Sequence, residues 1–305
     1  MNFHYLLWHT YADQEVYGAG AARRITNQKL IDHSFAPMAP LPLDENSFFM
    51  QVQYPGMLTG MALFNGPEGD DEAGVDKLDG GITLDTVTGL PYLPGSTVKG
   101  ILRTPFKENP EFIVALIQSL FQNVWPEPWS IDEVLELETK VFGNRNRDRE
   151  SIAEEVVLQG CDAFLDAFPV FAQPQKLLEA ETFAVPKPDT KIGWEQLKQA
   201  NILSFLKIRP GVVFEFRFLG EDIELTSGRK ITIKHRRQMY IKILELMGAG
   251  AKTNSGYGNL VKTGNPLRNQ AQRRAADPTP QPKPHENATM DDLRKKFGRK
   301  QNSNR

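Results

Sequence analysis

Two short stretches of this 305-residue chain combine cations, hydroxyls and glycines at spacings suited to holding a polyanion. The first is Leu93-Pro94-Gly95-Ser96-Thr97-Val98-Lys99-Gly100-Ile101-Leu102-Arg103. A Pro-Gly turn leads into Ser96 or Thr97, either of which can cap a helix. Lys99 and Arg103, four residues apart, then share one face of its opening turns. Backbone N–H groups and two cations at a helix start suit a phosphate. Equally, the pattern fits an ordinary capped helix with two solvated basic side chains.

The second stretch is Gly248-Ala249-Gly250-Ala251-Lys252-Thr253-Asn254-Ser255-Gly256-Tyr257-Gly258. Its glycines permit positive φ and close backbone approach by a polyanion, with the N–H groups from Gly250 to Ser255 lining the path. Lys252 supplies a charge, Thr253 and Asn254 supply hydrogen bonds, and Tyr257 either stacks on a base or packs the loop. The Gly-x-x-x-x-Gly-Lys-[Ser/Thr] register of a triphosphate loop is absent, and the glycines follow a helical pattern rather than a strand. Arg236 and Arg237 precede this loop, and one or the other is expected to extend the basic face.

These segments need elements to hold them. Residues 48–64 read as strand material broken at Pro55-Gly56, and an acidic, glycine-rich insert at 65–80 reads as an exposed loop. Apolar residues at helical spacing mark 109–124, 131–142 and Ile233–Met247, the last ending at Gly248. Residues 156–170 read as one or two strands around a glycine. Three prolines (Pro174, Pro186 and Pro188) make 172–193 an irregular excursion, and 203–218 has the pattern of a hairpin turning at Arg209-Pro210-Gly211. The order strand, helix, strand, strand, helix, strand can be traced twice across 48–263, which gives an α+β fold of one or two fused ferredoxin-like (RRM-like) units. Beyond Gly264 proline, glutamine and charge dominate, so 264–305 is expected to be a largely disordered basic tail.

Composition narrows the function. Hydrophobic content of 40% and charged content of 24% are those of a globular protein with a sizeable core. No apolar run has the length of a membrane span, and residues 1–10 lack the plan of a secretion signal. One cysteine, Cys161, leaves no internal disulfide and no cysteine-based zinc cluster, so a cytoplasmic protein without cofactor or metal is expected. The net charge of −2 is silent about nucleic acid, but the tail carries ten basic residues against four acidic ones, which leaves local patches to carry any binding. His4, His9, Tyr5 and Tyr11 raise the alternative of a metal-independent endoribonuclease with a histidine or tyrosine base. His4 and His9 lie among Tyr5, Leu6, Leu7 and Trp8, however, a setting that favours a buried or interfacial strand.

Taken as a pair, the two motifs resemble the signature of the RAMP superfamily of CRISPR proteins, in which a Pro-Gly-Ser-x-x-Lys-Gly-x-x-Arg segment accompanies a C-terminal Gly-x-Gly-x-Lys-Thr-x-x-Gly-[Tyr/Phe]-Gly loop. Residues 80–103, the FLDAFP segment at 164–169, the opening NFHYLLWHTYA and SFLKIRPG at 204–211 are similar to the branch that supplies the sixth subunit of the Cmr (type III-B) effector. The resemblance implies a non-catalytic RNA-binding subunit of an antiviral ribonucleoprotein. It implies a place at the end of a stack of related proteins, at the 3′ side of the CRISPR guide RNA (crRNA). Its partners would be the guide, the target RNA indirectly, the neighbouring RAMP backbone subunit and the small helical subunit. In such complexes an aspartate of the backbone subunit cleaves target RNA. No aspartate here can be assigned that role, since Asp70, Asp71, Asp76 and Asp79 all fall in the acidic insert.

Overall fold

A computed structural model of the chain describes residues 46–60, 82–143, 159–185 and 201–266, with residues 28, 31–33, 78 and 79. The chain divides into two compact units, Met1–Asn265 and Pro266–Arg305. The basic tail beyond Pro266 and the N-terminal histidines lie outside the described residues.

The central sheet is built from β1 (Ser47–Val52), β3 (Ala163–Phe164), β4 (Phe168–Phe171), β7 (Val213–Leu219) and β10 (Leu260–Thr263). Its order is β10-β1-β7-β3, with β4 also on β7, and every pairing is antiparallel. The helices α1 (Gly95–Glu108), α2 (Pro110–Phe121) and α3 (Ile131–Phe142) separate β1 from β3, and α4 (Ile233–Met247) separates β7 from β10. Read along the chain this is one strand-helix-strand-strand-helix-strand unit of the ferredoxin-like kind.

Alternation along the strands decides which face is covered. Phe48, Met50 and Val52 of β1 join Phe214, Phe216 and Phe218 of β7 in one core with Leu102, Phe106, Ile113, Ile117, Leu137, Val141, Tyr240 and Leu244 of the helices. Each helix has a local reason to start where it does. Asn109 Oδ1 accepts from Phe112 N at 3.1 Å and Pro110 opens α2. Ser130 and Glu133 form a capping box at α3, and Thr232 and His235 form one at α4.

Several sequence expectations are corrected here. Residues 203–218 are not a hairpin: β6 (Asn201–Ile208) pairs with β5 (Leu178–Val185) and β2 (Leu78–Asp79), while β7 enters the central sheet. The turn between them is captured by the segment after β1. Gly211 N donates to Val52 O at 2.8 Å, and Met57 exchanges backbone hydrogen bonds with Ile208. The stretch 172–193 was expected to be irregular, yet it contains the eight-residue strand β5, because its prolines flank that run rather than interrupt it. Leu78–Asp79, inside the expected acidic loop, is a strand parallel to β6. Among the described residues there is one ferredoxin-like unit, with the remaining strands forming this three-stranded sheet and the short β8–β9 pair (Ile223–Glu224, Lys230–Ile231).

Candidate nucleic-acid interface

The first motif begins α1 as expected, but its cap comes from elsewhere. The helix starts at Gly95 with Pro94 as N-cap, and neither Ser96 nor Thr97 caps it. Instead Asp166, in the loop between β3 and β4, accepts from Gly95 N at 2.6 Å. Gly95 is required for a packing reason, since a Cβ there would sit 2.2 Å from Phe164 O. The positive end of α1 therefore already faces a carboxylate of the same chain, which lessens its pull on a phosphate. Ser96 and Thr97 are left exposed and Lys99 half-buried, with no ion-pair partner for Lys99 among the described residues.

Arg103 behaves differently. Its guanidinium is ion-paired with Glu138 of α3 and donates to Gly143 O at 2.7 Å. It lies one turn beyond Lys99, yet its charge is neutralised within the fold, so it braces α1 against the end of α3.

Arg236 is a clear correction. The side chain is wholly buried and makes a bidentate pair with Asp162, Nε to Oδ2 and Nη2 to Oδ1, each at 2.9 Å. It also donates to Ile231 O and Glu221 O, and the Tyr240 hydroxyl donates to Asp162 Oδ2 at 2.6 Å. A guanidinium with no surface contact cannot meet a phosphate. Burial, with Asp162 beside it, also pushes the Tyr240 hydroxyl well above its ordinary range. Arg237 is half-buried on the neighbouring position of α4.

In the second motif the glycines serve the protein's own backbone before any ligand. Gly250 has φ +89° and a Cβ there would lie 2.1 Å from Leu58 O; Gly258 has φ +74° and a Cβ would lie 1.9 Å from Ala249 O. Both positions demand glycine on two counts. The loop is then stitched down: Ala249 N donates to Gly258 O, Ala251 N to Leu58 O, and Gly258 N to Gly56 O, at 2.9, 2.8 and 2.8 Å. Ala251 N and Ser255 N, expected to line a nucleic acid, are engaged by Leu58 O and Lys252 O. Tyr257 is buried against Leu58 and hydrogen-bonded to Glu181, and its hydroxyl is pushed up to about 12 by burial and that carboxylate. Its ring packs the loop and offers no stacking face.

What the loop presents outward is Lys252, Asn254 and Ser255, all exposed, with Thr253 half-buried. Lys252 is the single non-glycine residue with positive φ among the described residues, at φ 57° and ψ 33°. A left-handed residue other than glycine costs about 1–2 kcal/mol, so the fold holds a lysine where glycine would be easier.

The structure also joins the two motifs, which sequence separates by about 150 residues. Ala251 N binds Leu58 O; the next residue, Thr59, is paired with Thr83 through two hydrogen bonds of 2.9 and 3.0 Å. Tyr92 N donates to Thr83 O, and Leu93 runs straight into the Pro-Gly turn of α1. Asp166, Asp162, Glu138 and the 57–59 bridge carry this arrangement without belonging to either motif. Of these, only Asp166 lies in a segment, FLDAFP, that the sequence singles out.

An ordered glycine loop is thus joined, through residues 57–59 and 83–93, to a helix that opens with Pro-Gly-Ser, beside an antiparallel sheet in an α+β domain. The family model of the RAMP superfamily matches residues 49–261, and the chain belongs to that superfamily. No curated protein matches it. Among solved structures, a chain of the type III-B Cmr-beta complex bound to cognate target RNA is similar at 18% identity and a TM-score of 0.44, over 72% of this chain and 58% of that one. The present chain thus spans a little over half of that relative's length. Cmr6 from Pyrococcus furiosus is similar at 20% identity and a TM-score of 0.38, over 71% and 97% of the two chains. A chain of a type IV-B CRISPR complex gives 12% identity and a TM-score of 0.40, over 71% and 89%.

Among the described residues no group of three or more His, Cys, Asp or Glu side chains is placed to hold a metal ion. No helix of the described residues is long and apolar enough to cross a membrane.

Proposed function

We propose that this chain is a non-catalytic, single-stranded-RNA-binding subunit of a cytoplasmic type III-B CRISPR ribonucleoprotein. It holds the guide backbone at its 3′ side and ends the stack of related backbone subunits, next to the small helical subunit. The observation that carries the reading is the stitching of the two motifs through Leu58, Thr59, Thr83 and Tyr92, in a chain of the RAMP superfamily. Lys99 and Lys252 pair with successive stretches of phosphate, with Arg237 as a further cation. Ser96, Thr253, Asn254 and Ser255 hydrogen-bond phosphate or 2′-hydroxyl oxygens. Sugar-phosphate contacts suit a guide whose spacer sequence varies, because they carry no base information.

The test is binding of labelled single-stranded RNA across a salt series, with RNA integrity followed with and without divalent metal. Wild type should bind in a salt-sensitive way and leave the RNA intact. Lys252→Ala and Lys99→Ala should each flatten the log–log salt slope by about 0.7, one phosphate's worth on a single strand. Unchanged slopes in both variants would remove the phosphate assignment. Reproducible cleavage that is lost in His4→Ala or His9→Ala would move the chain to the repeat-processing endoribonucleases.

A further inference from the structure

Tyr54 is 82% exposed, the one exposed aromatic side chain among the described residues. It makes no hydrogen bond or ring contact with any of them. Every other described aromatic ring is at least half-buried, many of them in the shared core. The backbone that carries this ring is nonetheless anchored. It sits in the turn after β1, whose flanks are tied to the glycine loop: Gln53 N donates to Asn259 O and Gly258 N donates to Gly56 O, both at 2.8 Å. Pro55, the next residue, lies against Gly256, where a Cβ would come 3.9 Å from its Cδ. The turn that carries this exposed aromatic ring is thus tied on both sides to the loop that presents Lys252, Asn254 and Ser255 to solvent.

From this juxtaposition we infer that Tyr54 is a base-stacking platform. Its ring takes one nucleobase of the strand whose backbone the glycine loop holds. The inference rests on the RNA-binding reading above and adds to it a base-directed contact. The chemistry agrees with an indifferent reader of sequence. All four bases have a π face, so one stacked ring adds affinity without selecting a spacer. The loop's own tyrosine, buried on Leu58 and Glu181, is not available for this role.

The experiment compares wild type, Tyr54→Ala, Tyr54→Trp and Lys252→Ala against a single-stranded RNA and against the same RNA carrying abasic positions. Tyr54→Ala should weaken binding roughly 5- to 100-fold, the usual cost of losing one stacked base. It should leave the salt slope unchanged, because no phosphate contact is removed. Tyr54→Trp should keep wild-type affinity, and the penalty of Tyr54→Ala should vanish on the fully abasic RNA. At 82% exposure the side chain contributes little to folding, so an unchanged melting temperature verifies that the variant is intact. Equal affinity of Tyr54→Ala and wild type, with Lys252→Ala still flattening the slope, would overturn the stacking role and leave the RNA-binding reading standing. A loss of association with another protein at unchanged RNA affinity would give the ring to a protein contact and likewise overturn it. Absence of RNA binding by wild type would overturn both.

Discussion

Replacing Asp162 by alanine separates the two roles that sequence offers for Arg236. Both side chains are 0% exposed, and the two share a bidentate pair closed by the Tyr240 hydroxyl. Asp162→Ala leaves a buried guanidinium with only the carbonyls of Ile231 and Glu221. Breaking a buried pair from one side costs about 3–5 kcal/mol, because the orphaned charge has lost its compensation. For a domain of this size each kcal/mol lowers the melting temperature by roughly 2–4 °C, so a drop of about 6–20 °C is expected. Thermal unfolding followed by near-UV circular dichroism, with RNA binding measured well below the transition, reads both roles. The double replacement Asp162→Leu with Arg236→Met should recover part of the loss, since an apolar pair has no charge to desolvate, while the Tyr240 hydroxyl and the carbonyls of Ile231 and Glu221 lose these partners. A melting temperature within 2 °C of wild type for Asp162→Ala would refute the structural role. So would an Arg236→Ala variant that folds normally and flattens the RNA salt slope.

Other consequences can be measured separately. Gly258→Ala forces a Cβ to 1.9 Å from Ala249 O at φ +74°, so it should cost at least about 2 kcal/mol and loosen the loop, seen as a lower melting temperature and weaker RNA binding together. Cys161 has its thiol pushed up to about 11 by burial and the neighbouring Asp162, so alkylation by iodoacetamide at pH 8 should run on the order of 100-fold slower than for a free thiol; rapid labelling of the folded protein would contradict this. His235 is pushed below its ordinary value by burial, between Phe121 and Trp125, while its Nδ1 accepts from Thr232 N. Its neutral form is the folded one. Its share of stability is therefore complete above about pH 6.5 and is lost as pH falls through the lower folded value. Melting temperatures should fall more steeply with acidification for wild type than for His235→Phe.

Much of this protein was legible along the chain. Ile233–Met247 and its stop at Gly248 follow from helical spacing and a glycine terminus, and α2 and α3 from apolar residues three and four apart. Phe214, Phe216 and Phe218 announce a strand with one covered face. The two motifs, and with them the RAMP superfamily, were visible as patterns of proline, glycine and cation, because special backbone geometry leaves a mark on residue type.

Partnership left no such mark. Periodicity marks 203–208 and 212–218 as strands, but does not show that Met57 and Val52 pull them into different sheets. Among Lys99, Arg103, Arg236 and Lys252, residue type is nearly uniform while environment is opposite. Glu138 and Asp162, 35 and 74 positions away from the arginines they pair with, claim two of the four charges for the interior. The glycines of the loop were read correctly as sites of close approach, yet the approaching group is Leu58 O or Ala249 O. Sequence determines which residues can carry charge, turn the chain or fill a core. Tertiary structure decides which of them remain available to a ligand, because a buried charge must be neutralised by whichever opposite charge the fold brings within reach.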